Sequence, residues 1–203
     1  MRPRPLRVAL TGGIATGKSH CLKRFVAGGA PVIDADALAR EVIASGTAGA
    51  DAVLQRFGTL DRQAIGALVF HDRHARADLE AIIHPRVYEA IERWFTALRH
   101  APFGIADIPL LFETHRATDF DRVVITSCTP TQQRERLIAR GLSGANADAR
   151  IASQWPFEDK LERARAARVP VDVIDTSGTT AESDAQVDRI TERLGSLPPR
   201  VCS

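Results

Sequence analysis

The sequence contains few cysteines and no long apolar run. Its 203 residues include only Cys21, Cys128 and Cys202, which are widely spaced and form no C-x-x-C pair. This usage argues against a disulfide framework or a structural zinc site, and it favours a reducing compartment. No stretch approaches the roughly 18 apolar residues of a membrane-spanning helix. The basic start MRPRPLRVAL has an apolar run too short for a signal peptide. We therefore expect a soluble, cytoplasmic protein.

An excess of charge of one sign is also missing. The chain carries 27 basic and 25 acidic residues, which gives a formal net charge of +2. This balance provides no overall electrostatic attraction to nucleic acid. We therefore expect a small-molecule substrate and neither a nucleic-acid nor a membrane partner. The sequence leaves the oligomeric state open.

Apolar runs typical of buried strands alternate with segments of helical periodicity. The strand-like runs are LRVAL, PVIDAD, FGIADIPL, RVVITSC and VDVID, and helical patterns such as KSHCLKRFVAG and TPTQQRERLIAR follow them. Alternating strands and helices are typical of a parallel sheet covered on both faces. We predict a single α/β domain with about five parallel strands.

The stretch from about residue 46 to 100 is helical almost throughout, with a helix start predicted at Pro85. We interpret it as a helical substrate-side subdomain inserted into a core of about residues 1–45 and 101–203. The small-residue segment GLSGANADA predicts a mobile loop, and a charged helix is predicted from Ala149 to about Arg168. We interpret residues 141–160 as a small lid and the tail SLPPRVCS as frayed.

The most specific motif is LTGGIATGKS, in which Gly12, Gly17, Lys18 and Ser19 fit the pattern G-x-x-x-x-G-K-[ST]. In such a loop the backbone N–H groups converge on phosphate oxygens, and the following helix N-terminus adds positive potential. The lysine reaches the β- and γ-phosphates, and the serine hydroxyl binds magnesium. A glycine-rich turn without a ligand is the alternative. The position between a strand and a helix favours a nucleotide triphosphate.

Asparagine is nearly absent, which bears on the class of nucleotide-binding protein. GTPase switches read guanine with N-K-x-D, but the only asparagine is Asn146 and no lysine follows it. The segment DTSG at 175–178 resembles a switch motif but lies too near the C-terminus. A mechanical ATPase or helicase needs a longer chain. A small kinase acting on a metabolite fits better.

Read in order, the motifs resemble those of the dephospho-CoA kinase family. LTGGIATGKS, VIDADALAREV, GTLDRQAIGALVF, LEAIIHPRV, DIPLLFE, QQRERLIARGLS, ARIASQWP and VDVIDTSG carry the resemblance, over roughly residues 6 to 180. It implies a P-loop fold like that of nucleoside-monophosphate kinases, with ATP and Mg²⁺ as cofactors. It also implies phosphorylation of the ribose 3′-hydroxyl of dephospho-CoA, the last step of coenzyme A biosynthesis.

The chain departs from the family pattern at three places. His20 stands where a threonine commonly follows the loop serine, and Thr176 replaces a frequent asparagine. The stretch between Lys160 and Val173 is longer than usual. These departures concern nucleotide contacts and the connection from lid to strand.

The resemblance assigns the following site residues. The nucleotide-binding residues are Gly12, Gly13, Ile14, Ala15, Thr16, Gly17, Lys18, Ser19, His20 and Arg140. Lys18 and Arg140 would also be catalytic, with Arg140 on the ATP phosphates or the adenine face. Arg134 and Arg136, on the same predicted helix, are interpreted as solvated surface residues.

Asp36 would be the catalytic base that accepts the proton of the attacking hydroxyl, and it would also contact the substrate. The alternative is that Asp36 only caps the following helix, and Asp34 is the second candidate for the base. Asp107 ends an apolar strand and is a candidate magnesium ligand together with Ser19, although it could instead cap the next helix.

Two further residues, Arg62 and His84, are candidates for substrate binding. Arg62 would anchor phosphates of the substrate or be a capping partner of Asp61. His84 would lie near the coenzyme, or else cap a helix or be a packed residue. Two other functions stay open: a kinase of the same fold acting on a nucleotide or another small alcohol, and a non-catalytic nucleotide-binding switch.

Overall fold

The computed structural model describes residues 3–98, 101–198 and 200–201. The chain forms two compact units, one of Met1–Ile33 with Leu98–Ser203 and one of Asp34–Ala97. No helix in the described residues is both long and apolar enough to cross a membrane.

The strands, in chain order, are β1 (Pro3–Arg4), β2 (Leu6–Gly12), β3 (Val32–Asp34), β4 (Phe103–Asp107), β5 (Arg122–Ser127), β6 (Val171–Asp175) and β7 (Arg200–Val201). Five of them form one sheet of order β3-β4-β2-β5-β6, and β1 pairs antiparallel with β7. The pairings of β2 with β4, β2 with β5 and β5 with β6 are parallel. The predicted five-stranded parallel sheet is therefore confirmed.

The helices are α1 (Lys18–Ala27), α2 (Ala35–Glu41), α3 (Ala48–Phe57), α4 (Arg62–His71), α5 (Arg73–Ala97), α6 (Pro130–Ala139), α7 (Gly144–Ala152), α8 (Phe157–Ala166) and α9 (Thr180–Ser196). Helices α2 to α5 lie in the unit of residues 34–97, and the others lie with the sheet. Helix α6 begins at the predicted cap, because the Thr129 side chain and Gln132 form a reciprocal capping box.

The sheet is held by a core in which β2 is central. Leu10 lies opposite Asp107 of β4 and Val124 of β5. Leu10 and Val124 are fully buried and belong to one cluster with Phe25 of α1 and Leu194 of α9. Each such side chain contributes about 1.5–3 kcal/mol through burial, so the strand leading into the glycine loop is among the most firmly fixed.

The predicted helix start at Pro85 is wrong. Helix α5 runs without a break through Pro85, although proline removes one main-chain hydrogen bond from a helix interior. The Arg86 side chain donates to the carbonyl oxygen of Ile82 at 2.7 Å, one turn earlier. The buried residues Val87, Ile91 and others hold the helix by packing, which outweighs the local cost of the proline.

The predicted loop GLSGANADA is also wrong, since most of it is helix α7. The Ser143 side chain caps the helix by accepting from the N–H group of Asn146. Alanine has the highest helix propensity, and Ala147 is fully buried. In this segment the alanines are helix formers whose small side chains allow close packing.

The predicted helix over Ala149–Arg168 is two helices. Helix α7 ends at Ala152 and α8 begins at Phe157, after Pro156, whose preceding residue is biased away from helix. The tail contains a strand instead of being frayed, because Arg200 pairs with Arg4. The remaining tail residues 199, 202 and 203 lie outside the described residues.

Candidate active site

The glycine loop lies between β2 and α1, at the carboxyl end of the central strand. The neighbours of β2 are β4 on one side and β5 on the other, so the chain order reverses at this point. Ligands of open α/β sheets bind at such a switch point, outside the carboxyl ends of the strands. The predicted phosphate loop is therefore in the expected strand–loop–helix context.

Two glycines of the loop are required by the space and the backbone around them. A Cβ atom on Gly12 would lie 2.1 Å from Oγ1 of Thr126, so no side chain fits there. Gly17 is the N-terminal cap residue of α1 and has φ +84°. This is a left-handed backbone conformation, which glycine adopts without steric cost. Thr176 lies 3.1–3.3 Å from the position of a Cβ on Gly17.

Lys18 lies at the start of α1 and forms an ion pair with Asp107 at the end of β4. Its Nζ atom is 2.5 Å from Oδ1 and 2.6 Å from Oδ2 of the carboxylate. The exposed fractions of the two side chains are 16% and 7%. Because both side chains are largely buried, water screens their attraction little. The ion pair therefore holds the Lys18 side chain against the end of β4.

Four consecutive carbonyl groups of the loop each accept a hydrogen bond from a side chain. The donors to the carbonyls of Gly13, Ile14, Ala15 and Thr16 are, respectively, Thr16 at 2.7 Å, Gln133 at 2.8 Å, Arg136 at 3.2 Å and Thr176 at 2.9 Å. Hydrogen bonds to the carbonyl oxygens fix the orientation of the peptide groups and do not occupy their N–H groups. Such N–H groups form the anion-binding concavity of a phosphate loop.

Arg136 and Thr176 are two residues whose role the sequence interpretation missed. Arg136 donates to Oγ1 and to the carbonyl oxygen of Thr176, at 3.0 and 2.6 Å, as well as to Ala15. The interpretation of Arg136 as a solvated surface residue is wrong, because its guanidinium links α6, the loop and the end of β6. Arg134 does pair at the surface, with Asp148.

The other loop residues are more exposed. Ser19 is exposed, and His20 places its Nε2 atom 2.7 Å from Oδ1 of Asp184 on α9. Oxygen ligands such as the Ser19 hydroxyl and the Asp107 carboxylate suit Mg²⁺, which keeps several waters when it binds to proteins. Within the described ranges no group of three or more His, Cys, Asp or Glu forms a metal cage.

In the unit of residues 34–97, Asp34 and Asp36 have different roles. Asp34 is the cap of α2, because its carboxylate accepts from the N–H groups of Asp36 and Ala37 at 2.8 and 3.1 Å. Asp36 itself lies in the first turn of the helix and is exposed. The interpretation of Asp36 as the cap is therefore wrong.

Arg62 and His84 lie on two helices of the same unit. Arg62 is the exposed first residue of α4, where Asp61 caps the helix by accepting from the N–H of Gln63 instead of pairing with Arg62. Arg62 and Ile65 are among the residues that line a cavity of about 170 Å³. His84 is partly buried inside α5, so its interpretation as a helix cap is wrong.

Arg140 is exposed and is the C-terminal cap residue of α6. Among the described residues its side chain has no hydrogen-bond or ion-pair partner, in contrast to Arg136 four residues earlier. Its predicted contact with the nucleotide stays a prediction.

A cavity of about 330 Å³ adjoins the loop and reaches to α8. Gly13, Thr16, Gln133, Gln154 and Lys160 are among the residues that line it. Lys160 is almost completely buried, and its Nζ lies 3.1 Å from Oε1 of Glu113.

A phosphate loop at the switch point of a five-stranded parallel sheet, with Lys18 paired to Asp107 at the end of the neighbouring strand β4, is the arrangement of a P-loop nucleotide-binding protein. The family model described as dephospho-CoA kinase matches residues 6–182. The chain belongs to the dephospho-CoA kinase family.

Curated relatives support this assignment, and two solved structures share the fold. The chain is 41% identical to a dephospho-CoA kinase of Parasynechococcus marenigrum over 90% of this chain and 93% of the relative. It is 42% identical to one of Cutibacterium acnes, over 93% and 84% respectively. A solved structure of a Thermus thermophilus protein is similar with a TM-score of 0.80 and 28% identity, over 94% of this chain and 97% of that one. A Campylobacter jejuni dephospho-CoA kinase shares the fold, with a TM-score of 0.67 and 22% identity over 93% and 96%.

Proposed function

We propose that the protein transfers the γ-phosphoryl group of ATP to the ribose 3′-hydroxyl of dephospho-CoA, which yields coenzyme A and ADP. The observation that supports this most strongly is the membership of residues 6–182 in the dephospho-CoA kinase family, joined to a phosphate loop with Lys18 paired to Asp107. The two described cysteines, Cys21 and Cys128, are free thiols. They support the cytoplasm as the location.

The transfer needs a group that takes the proton of the hydroxyl. The Asp36 carboxylate accepts that proton, the 3′-oxygen forms a bond to the γ-phosphorus, and the bond to the β-phosphate oxygen breaks. ADP leaves with the electron pair of that bond. The exposure of Asp36 and the capping of α2 by Asp34 support this choice, because they leave the Asp36 carboxylate available to a substrate.

The loop and the adjoining basic residues stabilise negative charge on the phosphates. The loop N–H groups other than that of Ile14, which donates to Gln154, bind the phosphate chain, while Lys18 exchanges its contact with Asp107 for the β- and γ-phosphate oxygens. Arg140, which has no competing partner in the described part of the chain, neutralises further charge. Mg²⁺ would be held by the Ser19 hydroxyl and by Asp107, and it supplies charge neutralisation on the phosphates.

Substrate binding involves the unit of residues 34–97. Arg62 would bind a phosphate of dephospho-CoA, because its guanidinium is exposed at the start of α4 and beside an apolar cavity. A bidentate guanidinium suits phosphate oxygens. His84 would contact the same substrate from α5.

The test incubates the purified protein with Mg-ATP and each of dephospho-CoA, adenosine, AMP and shikimate, and measures the product masses. We expect one added phosphoryl group on dephospho-CoA alone. Phosphorylation of AMP but not of dephospho-CoA would indicate a kinase of the same fold with another substrate. Tight nucleotide binding without any phosphorylated product would indicate a non-catalytic switch.

A further inference from the structure

Ile14, in the middle of the phosphate loop, has both of its main-chain polar groups bound by carboxamide side chains. Its N–H group donates to Oε1 of Gln154 at 2.6 Å. Its carbonyl oxygen accepts from Nε2 of Gln133 at 2.8 Å. The two glutamines therefore bind the two peptide groups on either side of the Ile14 Cα atom, Gln154 the one before it and Gln133 the one after it.

The two glutamines come from different parts of the chain. Gln133 lies in the first turns of α6, directly after β5. Gln154 lies in the break between α7 and α8, where its own N–H donates to the carbonyl of Ile151 at 3.2 Å. The loop is therefore tied to the sheet by Gln133 and to the α7–α8 segment by Gln154.

Apolar packing also joins the phosphate loop to helix α7. Ala147 and Ile151 of α7 belong to one cluster with Ile14 and Ala15 of the loop. Apolar contact is non-directional and fixes no orientation of a peptide group. The hydrogen bond to Gln154 is directional, so it sets the direction in which the Ile14 N–H points.

The neighbourhood fixes the position of Gln154. Trp155, the next residue, has its ring 5.9 Å from the His115 ring, and the Arg163 guanidinium lies 3.7 Å above it. A stacked cation of this kind holds the side chain in a defined place. Since Ala15 has φ +60°, a conformation that costs a non-glycine residue free energy, the loop depends on such external contacts.

We propose that Gln154 is a positioning residue for the phosphate loop, through which nucleotide affinity depends on the α7–α8 segment. The inference rests on nucleotide binding at the loop, which is part of the proposed function. The hydrogen bond from Ile14 sets the loop in the shape that presents its other N–H groups to phosphates. By reciprocity, a nucleotide in the loop stabilises the packing of residues 144–166.

The variant that tests the proposal is Gln154→Met, which keeps the length of the side chain and removes the acceptor oxygen. We expect ADP to bind about three- to tenfold more weakly, the usual effect of one hydrogen bond, with a larger rise of KM for ATP than fall of kcat. Hydrogen exchange of the amides 144–166 slows when ADP binds the original protein. In the variant this protection becomes smaller.

The matched control is Ser153→Ala. Its hydroxyl donates to the carbonyl of Arg150 at 2.8 Å and forms no hydrogen bond with the loop among the described residues, so ADP affinity should not change. Gln154→Ala serves as a second variant if Gln154→Met does not fold.

Unchanged ADP affinity and unchanged protection in both Gln154→Met and Gln154→Ala would overturn the proposal. An equal loss of thermal stability with and without ADP would also overturn it, because it would show a purely structural role. The binding, hydrogen-exchange and thermal-stability measurements use ADP alone. They therefore stand even if the protein does not phosphorylate dephospho-CoA.

Discussion

Lys18 and Asp107 form a two-point ion pair across the carboxyl edge of the sheet, with Nζ 2.5 and 2.6 Å from the two carboxylate oxygens. Both groups are expected to bind other partners during turnover, the lysine a phosphate and the aspartate a magnesium ion. Because the pair is largely buried, each residue compensates the charge of the other until the nucleotide arrives.

Replacing Lys18 by alanine should therefore have two separate effects. Activity should fall at least ~100-fold, which corresponds to about 3 kcal/mol of transition-state stabilisation. Stability without ligand should also fall, since the buried Asp107 loses the cation that compensates its charge. The double variant Lys18→Ala/Asp107→Asn should regain stability but not activity. Steady-state rates and urea unfolding test this, with the exposed Lys23→Ala as control.

Near-normal turnover in a folded Lys18→Ala protein would show that the loop has been misinterpreted. A double variant no more stable than Lys18→Ala would show that the ion pair does not govern the loss of stability.

The exposed Asp36 and the capping Asp34 can be separated by substitution. Asp36→Asn should lower kcat by about 10²–10³-fold, the lower half of the range for positioned acid–base groups, because the transition state of phosphoryl transfer is loose. ADP affinity should not change. Asp34→Asn should be close to normal, because asparagine caps helices about as well as aspartate. A nearly normal kcat in Asp36→Asn, together with a large fall of kcat in Asp34→Asn, would assign the role of the base to Asp34.

Arg136 and Arg140 should differ in what their loss affects. Arg136→Ala removes the donor to Ala15 and Thr176, so we expect a lower melting temperature and weaker ADP binding. Arg140→Ala leaves stability unchanged, because its side chain is exposed. It should lower kcat and raise the ratio of ATP hydrolysis to transfer if Arg140 helps a lid exclude water. Equal effects of the two substitutions on stability and transfer would contradict this division.

The buried pair of Lys160 and Glu113 gives a prediction about stability. Lys160→Met leaves the Glu113 carboxylate without its cation in a site with little water. We expect a loss of about 3–5 kcal/mol in the free energy of unfolding. The double variant Lys160→Met/Glu113→Leu should recover much of that loss, measured by urea unfolding. An undiminished loss in the double variant would mean that Lys160 acts mainly by packing.

Asp121 gives a prediction about pH. Burial alone would raise the pKa of Asp121, but hydrogen bonds from Arg4 and the Arg7 N–H, with the charges of Arg4 and Arg200, lower it below its usual 3.8. A carboxylate with a lowered pKa stabilises the fold above its unfolded pKa, and this contribution is lost as the pH falls.

The difference in stability between the original protein and Asp121→Asn should therefore shrink as the pH falls from about 5 to about 3. Thermal unfolding followed by circular dichroism measures it. A difference that is constant over this range would show that the Asp121 charge makes no contribution.

The sequence was sufficient for the parts of the fold and site that are local in the chain. Glycine and lysine positions in LTGGIATGKS specify the phosphate loop, and the apolar run before it specifies β2. Asp107 could be placed at a strand end, because the apolar run FGIAD ends there. These features depend on neighbours within a few residues.

The missed features depend on contacts between residues far apart in the chain. The hydrogen bond from Thr176 to Thr16 spans 160 positions, and that from Arg136 to Ala15 spans 121. From its position in a helical pattern alone, Arg136 could not be distinguished from a solvent-exposed arginine. The proline inside α5 and the alanines of α7 were misinterpreted because tertiary packing decides them.

The central claim is phosphoryl transfer to the ribose 3′-hydroxyl, and the position of the new phosphate tests it most directly. Purified protein is incubated with Mg-ATP and dephospho-CoA, and the product is examined by phosphorus–proton correlation NMR. The account predicts one new phosphomonoester coupled to the proton of the ribose 3′ carbon, formed much more slowly by Asp36→Asn. A phosphate at any other position, or release of inorganic phosphate without a phosphorylated product, would contradict it.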